Sequence, residues 1–378
     1  MATRASAPQV VIAGGSVAGL ATALSLKQAG CKVQVFERAA STIPAGAGLA
    51  LDDKTIEIMT LLTSEEAVEQ ATFKIPGDGK LETVVDREIE EVPKLQDRDT
   101  SLIPTRSAQW ASIHQLLKNS LPEGMLRYSH TVSGFELEGQ NGLTVSVEDK
   151  SSSEGTPKQL QVQADLLIGA DGCLTTVGRQ LAADKMAMRY AGYCAWRGVL
   201  EGDRFPDAAK RLHTIFPGAM FHVLQADSCH ILIFKLPGNR FNWIWYTNQP
   251  QPKTDKPSPT VQPSPEQVKD LHARADEMFP GPVAELVKTT EKPFISIIFD
   301  REPLQQIVWD RVALVGEAAH PTTPHAGRST NMSIADAHSV GQAVQQNKDL
   351  QTALETYQQD RLGQTTKEVL FSRCIGLA

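Results

Sequence analysis

The chain has 378 residues, of which 41% are hydrophobic and 21% are charged, and its formal net charge is -7. This composition is ordinary for a globular enzyme, and the length predicts two lobes or one lobe with an insertion. The negative charge argues against nucleic acid or an anionic membrane as a partner, because both repel an acidic surface.

The chain begins with a predicted strand, glycine turn, helix and second strand. Apolar residues from Gln9 to Ala13 predict a buried strand, and the helix that follows the turn ends near Gly30. Lys32 to Phe36 predict the second strand, and Glu37 comes directly after it. In this context the turn is typical of a pyrophosphate site and the acid of a ribose contact. We therefore assign dinucleotide binding to the acid and to the turn, which consists of Gly14, Gly15, Ser16, Val17, Ala18 and Gly19.

The turn departs from the usual fingerprint at its second glycine. Ser16 stands there, and its side chain narrows the approach to the cofactor while its hydroxyl can donate to phosphate. Glu37, rather than a basic residue, favours a free ribose 2'-hydroxyl, which means FAD or NAD and not NADP at this site. The sequence has one such fingerprint, so any second dinucleotide, such as NADH or NADPH, is expected to bind only transiently.

Two local patterns follow the nucleotide fingerprint. Ser107 to Leu121 predicts a helix, because its apolar residues recur at helical spacing. Phe135 to Val147 alternates apolar and polar residues around an Asn141-Gly142 turn, which predicts a hairpin that Leu160 and Val162 extend into a meander.

A further buried strand is predicted at Leu166 to Ile168. Asp171-Gly172 comes just after it, at the carboxyl edge of the sheet where doubly wound folds bind their ligands. We therefore expect Asp171 to face a ligand.

Alternating strands begin at Ala191 and predict an antiparallel sheet with one wet face. The predicted strands are Cys194 to Leu200, Leu212 to Phe216, Met220 to Leu224, His230 to Leu236 and Asn242 to Thr247. Several aromatic residues fall in or beside them, namely Tyr193, Trp196, Trp243 and Trp245. Such rings could clamp a flat ligand, and they could equally fill a hydrophobic core.

The next segment contains six prolines between positions 249 and 266 and predicts an exposed loop. Ser264 then opens a helix with a capping box and a proline at the first helical position. Pro293 to Asp300 predicts a strand, and Leu350 to Ser372 predicts a helix.

The stretch from Val312 to Ala337 combines a strand, a loop and a helix start. Val312 to Val315 is short, apolar and rich in valine, which favours a buried parallel strand. The loop is rich in proline and glycine, and Ser329-Thr330-Asn331 can cap the helix that follows. Unpaired N-H groups at a helix start favour a phosphate or a carbonyl that becomes anionic.

This stretch resembles the second flavin motif of the FAD-dependent aromatic hydroxylases, the class A flavoprotein monooxygenases. In that motif Gly-Asp-Ala-Ala-His leads to proline, glycine-rich backbone and Asn. Two residues depart from it, since Glu317 stands where the family has Asp and Ser329 where most members have Gly. Either carboxylate can accept from a ribityl hydroxyl, but Glu is one methylene longer, so the contact geometry must differ.

Two other segments carry the same resemblance. Ala164 to Arg179 is similar to the family's Asp-Gly motif, with Thr175 or Thr176 in place of the usual serine. Tyr190 to Gly198 resembles the dihydroxypyridine and urate hydroxylase branch. The resemblance implies further cofactor contacts by Arg38, Ala50 after the Gly46-Ala47-Gly48 loop, Arg106, Val132, Asp171, Glu317, Pro324, Gly327, Arg328, Ser329, Thr330 and Asn331.

The implied fold is α/β, with a Rossmann-like FAD-binding domain of the glutathione-reductase type and an inserted antiparallel-sheet substrate domain. We expect residues 1–75, 101–180 and 301–378 to form the FAD-binding domain. Residues 76–100 and 181–300 are expected to form the substrate-binding domain.

The implied activity is that of a monooxygenase that uses bound FAD, NAD(P)H and O2 to hydroxylate a small aromatic or N-heterocyclic substrate. His325 is the first candidate for the catalytic group, because its loop should pass the flavin ring and an unperturbed imidazole titrates near neutral pH. Arg197, Tyr193 and His213 follow in that order. His320 is expected to be structural.

Three other functions stay open at this point. A flavin-dependent dehydrogenase or reductase would share the fold without inserting oxygen. A flavin-binding protein without oxygenase turnover would agree with the departures at Glu317 and Ser329. A plain NAD dehydrogenase would leave Asp171 and the Val312 stretch without a role.

Cysteine spacing and the length of apolar runs indicate the cellular compartment of the protein. Five cysteines, Cys31, Cys173, Cys194, Cys229 and Cys374, show no metal-binding spacing, so reduced thiols and no metal are expected. The sequence has no apolar run of the length that a membrane helix needs and no convincing targeting signal at its start. We expect a cytoplasmic monomer or homodimer without a membrane or nucleic-acid partner, while an organelle stays open if the chain is trimmed.

Overall fold

The computed structural model describes most of the chain. The described residues are 7–41, 47–75, 82–85, 88–91, 104–139, 142–151, 157–216, 222–226, 229–253 and 259–377. The predictions for Gly46, Asn141 and Met220 fall outside these ranges. No helix within them is long and apolar enough to cross a lipid bilayer.

The described chain contains single strands, runs of consecutive strands and helices between them. The strands are β1 (Gln9–Ala13), β2 (Lys32–Phe36), β3 (Gly48–Leu51), β4 (Thr72–Lys74), β5 (Glu82–Val85), β6 (Glu88–Glu91), β7 (Arg106–Gln109), β8 (Leu126–Arg127), β9 (His130–Leu137), β10 (Leu143–Asp149), β11 (Lys158–Ala164), β12 (Leu166–Gly169), β13 (Arg189–Glu201), β14 (His222–Ala226), β15 (Cys229–Leu236), β16 (Arg240–Asn248), β17 (Thr260–Val261), β18 (Phe294–Asp300), β19 (Val308–Trp309) and β20 (Val312–Leu314). The α-helices are α1 (Val17–Gln28), α2 (Asp53–Leu62), α3 (Glu65–Ala71), α4 (Trp110–Asn119), α5 (Thr176–Ala182), α6 (Pro206–Ile215), α7 (Pro265–Met278), α8 (Gly281–Thr289), α9 (Ser329–Gln346) and α10 (Leu350–Leu377). Short 3-10 turns occupy Ala183–Lys185 and Gly316–Ala318.

The first sheet has the strand order β19-β20-β12-β1-β2-β8. Strand β1 runs parallel to β2 and β12, and β12 runs parallel to β20. Ile12 and Ile168 are fully buried neighbours in adjacent strands, and burying a side chain of this size contributes roughly 1.5–3 kcal/mol. Helices α1 and α9 and the β9-β10-β11 meander share the core of this sheet. The carboxyl ends of its central strands therefore point toward one edge, where ligands bind in such folds.

The second sheet has the order β17-β18-β13-β16-β15-β14-β5-β6, and its two faces carry different residues. Trp196, Trp243 and Trp245 pack against α6, α7 and α8 on the outer face. Tyr193 and Tyr246, which have the opposite phase in the same strands, lie on the inner face. A backbone N-H of β3 donates to a side chain of β16 at 2.8 Å, and a hydroxyl of β7 donates to a carbonyl of β15 at 2.6 Å. The inner face therefore meets the part of the chain that carries the nucleotide fingerprint.

These two sheets confirm the predicted α/β class with an antiparallel sheet beside a Rossmann-like unit. The hairpin, the meander and the capping box at Ser264 are confirmed as well. The strand at Pro293 to Asp300 and the C-terminal helix are present, and the helix extends to Leu377.

Four predictions of local structure are wrong in part. Leu212 to Phe216 lies mostly in α6, because Pro206 starts a helix at its first position and the five residues that follow, 207–211, contain no β-branched side chain. Residues 106–109 form a strand paired with β3, so the helix starts at Trp110 rather than at Ser107. The proline-rich loop includes the short strand β17, while residues 254–258 lie outside the described chain. No side chain caps α9, whose cap residue is Arg328.

Candidate active site

The glycine turn between β1 and α1 forms a close backbone cradle. Gly14 has φ +103°, and a Cβ atom there would lie 2.4 Å from the carbonyl oxygen of Ala170. A Cβ atom at Gly19 would lie 1.9 Å from the carbonyl oxygen of Gly14. A side chain at either position would therefore push the helix away from the strand. Ser16 is the cap residue of α1, is exposed, and makes no side-chain capping bond.

Glu37 locks this turn to the end of β2. One carboxylate oxygen accepts from the Gly15 N-H at 2.7 Å and the other from the Ala39 N-H at 2.8 Å. Each oxygen keeps a second lone pair, so a ribose hydroxyl can still be accepted. Arg38 is exposed beside it.

Asp171 lies at the N-terminus of α5 and has one unused oxygen. Its Oδ2 accepts from the N-H groups of Thr176 at 2.6 Å and Val177 at 3.2 Å. Its Oδ1 is buried and has no hydrogen-bond partner among the described residues. Thr175 caps the helix by accepting from Gly178 N-H at 2.8 Å. Since buried polar atoms are normally paired, the orphaned oxygen and the open glycine cradle fit a dinucleotide with hydroxyl or ring N-H donors.

The turn after β20 contains Gly316 and Glu317. Gly316 has φ +59°, and its N-H donates to Oδ2 of the buried Asp336 at 2.9 Å. Asp336 is also bonded by Nε of Arg361 at 2.8 Å and by the ring of His320. Burial alone would raise the pKa of Asp336, but His320 and Arg361 hold it below its usual value. The structural role expected for His320 is thus supported by its position in a buried network.

The loop from Pro324 to Asn331 is held by its own polar side chains. Arg328 is buried and forms ion pairs with Asp52 and Glu368, each at 2.6 Å. The Asn331 amide donates to the carbonyl oxygens of Ala50 at 2.9 Å and Gly327 at 2.7 Å. These side chains anchor the loop, so contacts from Arg328 and Asn331 to a cofactor would have to come from their backbone.

Two other expected cofactor contacts are engaged elsewhere. The Arg106 guanidinium pairs with Glu69 and donates to Thr72 Oγ1 at 3.0 Å. It would have to leave Glu69 to reach a flavin. The side chain of Val132 is 6% exposed and packs in the core of the first sheet, which leaves only its backbone for an adenine.

A cluster of rings lies between the inner face of the second sheet and the loop that carries His325. Tyr193 Oη and His325 Nδ1 are 2.9 Å apart and share a hydrogen bond. The His325 ring lies 4.3 Å from the Tyr246 ring and 5.3 Å from the His230 ring, measured between centroids. The Tyr246 and His230 rings are stacked at 4.7 Å. Three neighbouring strands, β13, β16 and β15, thus supply the rings that meet this loop.

Burial keeps this ring cluster neutral. Burial first, and then the charges of His230 and Arg197, lower the pKa of His325 to about 3. Burial also lowers the pKa of His230 and raises that of Tyr193. Near neutral pH, both imidazoles are therefore uncharged and the phenol keeps its proton.

Arg197 lies close enough for its charge to act on His325. Its Nε atom is buried and has no hydrogen-bond partner in the described part of the chain. An oxygen of a bound molecule, anionic or carbonyl, would satisfy this donor.

His213 lies apart from this cluster, so the structure gives no support to its predicted catalytic role. It lies exposed on α6, bonds Asn239 Oδ1 at 3.0 Å and touches Phe241 of the outer face. The cause is the same as for the wrong strand, since a helix packed on the outer face replaces the strand predicted from Leu212 to Phe216.

The sequence reading missed His230 and Tyr246. Period-2 alternation put Tyr246 in the opposite phase to Trp243 and Trp245, which was a usable signal. The pairing of Ala195 with Tyr246 across β13 and β16 was not available from the sequence. His230 stands at the start of a predicted strand, and no local pattern distinguishes it.

Several known proteins are similar to this chain. Aurachin C monooxygenase/isomerase of Stigmatella aurantiaca is 28% identical over 375 residues, covering 97% of this chain and 88% of the relative. The 2,6-dihydroxypyridine 3-monooxygenase of Paenarthrobacter nicotinovorans is 26% identical over 379 residues, covering 94% and 87%. The crystal structure of Klebsiella pneumoniae HpxO complexed with FAD and uric acid superposes with a TM-score of 0.78 at 22% identity, covering 98% and 88%.

The fold and the nucleotide cradle together define a flavin-dependent oxidoreductase. The model of the FAD binding domain family matches residues 7–372, and the chain belongs to this family. The resemblance to the aromatic hydroxylases is confirmed, and the protein is an FAD-dependent monooxygenase of that type. FAD is its bound cofactor and a nicotinamide its reductant.

Proposed function

We propose that the protein hydroxylates a small, electron-rich aromatic or N-heterocyclic ring bound against the inner face of the second sheet. The observation that carries this proposal is the neutral Tyr193–His325 pair beside the unpaired Nε of Arg197. Flat rings stack on such aromatic walls. A ring oxygen can bond the free guanidinium N-H, which orients the ring toward the cofactor side.

The structure changes the role proposed for His325. A general base works best when its pKa lies near the operating pH, whereas burial lowers the pKa of His325 to about 3. We therefore propose that His325 orients a ring hydroxyl as a neutral hydrogen-bonding group rather than removing its proton. Tyr193 holds the imidazole ring through Nδ1.

When bound, FAD would supply the redox chemistry by which NAD(P)H reduces one oxygen atom of O2 to water while the other oxygen atom enters the ring. The chain's own residues orient the substrate, exclude water through the packed rings and hold the phenolic proton of Tyr193 in place. Glu37, Asp171 and the glycine turn would hold the cofactor.

The test is NAD(P)H oxidation and oxygen uptake with hydroxylated pyridines, purines and phenols, scoring hydroxylated product against hydrogen peroxide. We expect product with at least one ring class. His325→Ala should lower substrate-stimulated turnover by about 10²-fold, since loss of orientation alone has effects of that size. His213→Ala is the matched control, because this histidine is exposed on the opposite face.

Peroxide alone with every ring tested would contradict the proposed hydroxylation. Normal product formation by His325→Ala would leave the hydroxylase intact and remove the role given to this residue. Equal losses in His325→Ala and His213→Ala would show that position in the cluster does not matter.

We also propose that the protein is a cytoplasmic monomer or homodimer without nucleic-acid or membrane partners. The acidic net charge of -7 supports the absence of nucleic-acid and anionic-membrane partners. The two sheets support the proposed division into an FAD-binding part (1–75, 101–180, 301–378) and a substrate-binding part (76–100, 181–300). Light scattering of the holoenzyme measures its mass, and limited proteolysis tests the division.

A further inference from the structure

The side chains of Glu317 and Ser329 form a hydrogen bond with each other. Glu317 lies on the 3-10 turn Gly316–Ala318, and its side chain points to solvent. Ser329 is the first residue of α9. The Ser329 hydroxyl donates to Glu317 Oε1 at 2.8 Å. The two positions at which this chain departs from the flavin motif are therefore in direct contact.

The backbone under Glu317 is held by buried groups, whereas its exposed side chain is held by the Ser329 hydroxyl. Gly316 has a left-handed φ of +59°, and a Cβ atom there would lie 2.7 Å from Cβ of Ala18 in α1. The Gly316 N-H is held by the buried Asp336. A long, exposed glutamate side chain loses rotamer freedom when it adopts one conformation. The Ser329 hydroxyl is the group that can select that conformation before a ligand arrives.

A second observation places the Glu317 carboxylate beside the Asp171 loop. Burial first, and then the charge of Glu317, raise the pKa of the Cys173 thiol to about 12. Cys173 follows Asp171 by two positions, and Asp171 keeps a buried oxygen without a partner among the described residues. A Cβ atom at Gly14 would lie 3.1 Å from Cα of Asp171, and one at Gly316 would lie 2.7 Å from Cβ of Ala18, so both loops lie next to the glycine turn.

We propose that Ser329 is a positioning residue for Glu317 and that the two form one coupled unit, in which the serine hydroxyl holds the glutamate where it accepts from a hydroxyl of FAD. The inference rests on the cofactor placement proposed above and not on the identity of the substrate.

The chemistry of the pair makes the effect of changing one residue depend on the other. An aspartate at 317 is one methylene shorter and would leave the Ser329 hydroxyl without its acceptor. A glycine at 329 would leave the longer glutamate free among several rotamers. With both changes, the short carboxylate needs no partner to restrict it, because it has fewer rotamers to lose.

The experiment is a double-mutant cycle on the holoenzyme, read out as the FAD dissociation constant from the fluorescence of released flavin. Glu317→Asp and Ser329→Gly should each raise that constant about fivefold, the usual effect of losing one hydrogen bond. The double variant should raise it by less than either single change. Ser329→Thr keeps the hydroxyl and should bind FAD as tightly as the unchanged protein.

The matched control is a second exposed hydroxyl–carboxylate pair, Thr144 with Glu138 beside the β9-β10 hairpin. Glu138→Asp and Thr144→Gly should leave the FAD dissociation constant unchanged. If the double variant raises the FAD dissociation constant by the product of the two single effects, Glu317 and Ser329 are not coupled. Unchanged FAD binding in both single variants would also overturn the proposal. If no ring is hydroxylated but the cycle shows coupling, the proposed substrate fails and this inference stands.

Discussion

The cofactor side and the substrate side of the candidate site hold their polar groups in different ways. On the cofactor side, buried charges are paired, as in the contact of Asp336 with Arg361 and of Arg328 with Asp52 and Glu368. On the substrate side, His230, His325 and Tyr193 are kept neutral by burial. Arg197 alone among these site residues brings a charge there, and its Nε has no partner among the described residues.

This difference makes the cofactor side rigid and leaves the substrate side with a donor that a ligand can bind. A buried, fully paired carboxylate fixes the backbone turns around it, because any movement would leave a charge without a partner. A neutral ring cluster costs less to open, and the unpaired donor beside it gains a hydrogen bond only when a ligand arrives. The cofactor side therefore resembles a permanent binding site, and the substrate side a site of exchange.

The largest expected effect comes from removing the buried carboxylate on the cofactor side. Asp336→Ala leaves Arg361 buried without its partner and releases the Gly316 turn. We expect a loss of about 3–5 kcal/mol in the free energy of unfolding, measured by urea denaturation of the holoenzyme. The control is Asp184→Ala, which removes an exposed ion pair with Lys185 and should change stability little. Equal losses in the two variants would contradict the anchoring role.

The second expected effect is that acid destabilises the substrate side at a higher pH than the cofactor side. The folded-state pKa of His325 is lowered to about 3, so the unfolded chain binds the proton first, near pH 6.5. Stability from this histidine is complete above pH 6.5 and is lost as the pH falls. The linkage amounts to about 1.4 kcal/mol between pH 8 and pH 5.5. The pKa of Asp336 is also lowered, but its stabilisation is lost only as the pH falls below the unfolded value of about 3.9.

The measurement is the denaturation midpoint of the holoenzyme between pH 8 and pH 5.5, with His325→Gln and the exposed His213→Gln compared. His325→Gln should lose less stability on acidification than the unchanged protein. His213→Gln should lose as much stability as the unchanged protein. The prediction is contradicted if flavin is released at a higher pH than the pH at which the ring cluster changes.

The cofactor side was largely predictable because its parts are local in sequence. The glycine turn, Glu37 and Asp171 each follow a predicted strand directly, so a strand assignment also assigns their place at the sheet edge. The anchors were not predictable. Asp336 and Arg361 are 25 residues apart on two helices, and helical periodicity does not give the rotation of α10 against α9.

The substrate side was less predictable because it depends on strand register. The meeting of Tyr193 with Tyr246 and His230 needs the pairing of β13, β16 and β15, which alternation alone does not provide. The contact with His325 joins positions 132 residues apart. Local patterns placed His325 in the loop that meets the ring cluster, but they predicted a strand where His213 lies in a helix.

The smallest expected effect concerns the end of α10, which packs against the neutral cluster. A Cβ atom at Gly376 would lie 2.7 Å from Tyr193 Oη and 3.0 Å from His325 Nδ1. The helix is tied nearby, since Ser372 Oγ donates to the carbonyl of Thr323 at 2.6 Å and Arg373 Nε donates to Asp300 at 2.7 Å. Gly376→Ala therefore has to displace the helix end or the hydrogen bond between tyrosine and histidine.

Gly363→Ala supplies the matched control, because this glycine lies in the same helix and a Cβ atom there meets nothing within 4 Å. Both variants gain helix propensity of up to about 1 kcal/mol, so a difference between them reports the contact at the helix end. We expect Gly376→Ala to weaken ring binding about two- to fivefold, as a fraction of one hydrogen bond, while FAD stays bound. Ring binding is measured by titrating the holoenzyme with a phenol or pyridine and recording the flavin fluorescence. If the two variants bind rings equally well, the helix end does not support the Tyr193–His325 pair, and the substrate side is closed by the sheet and the His325 loop.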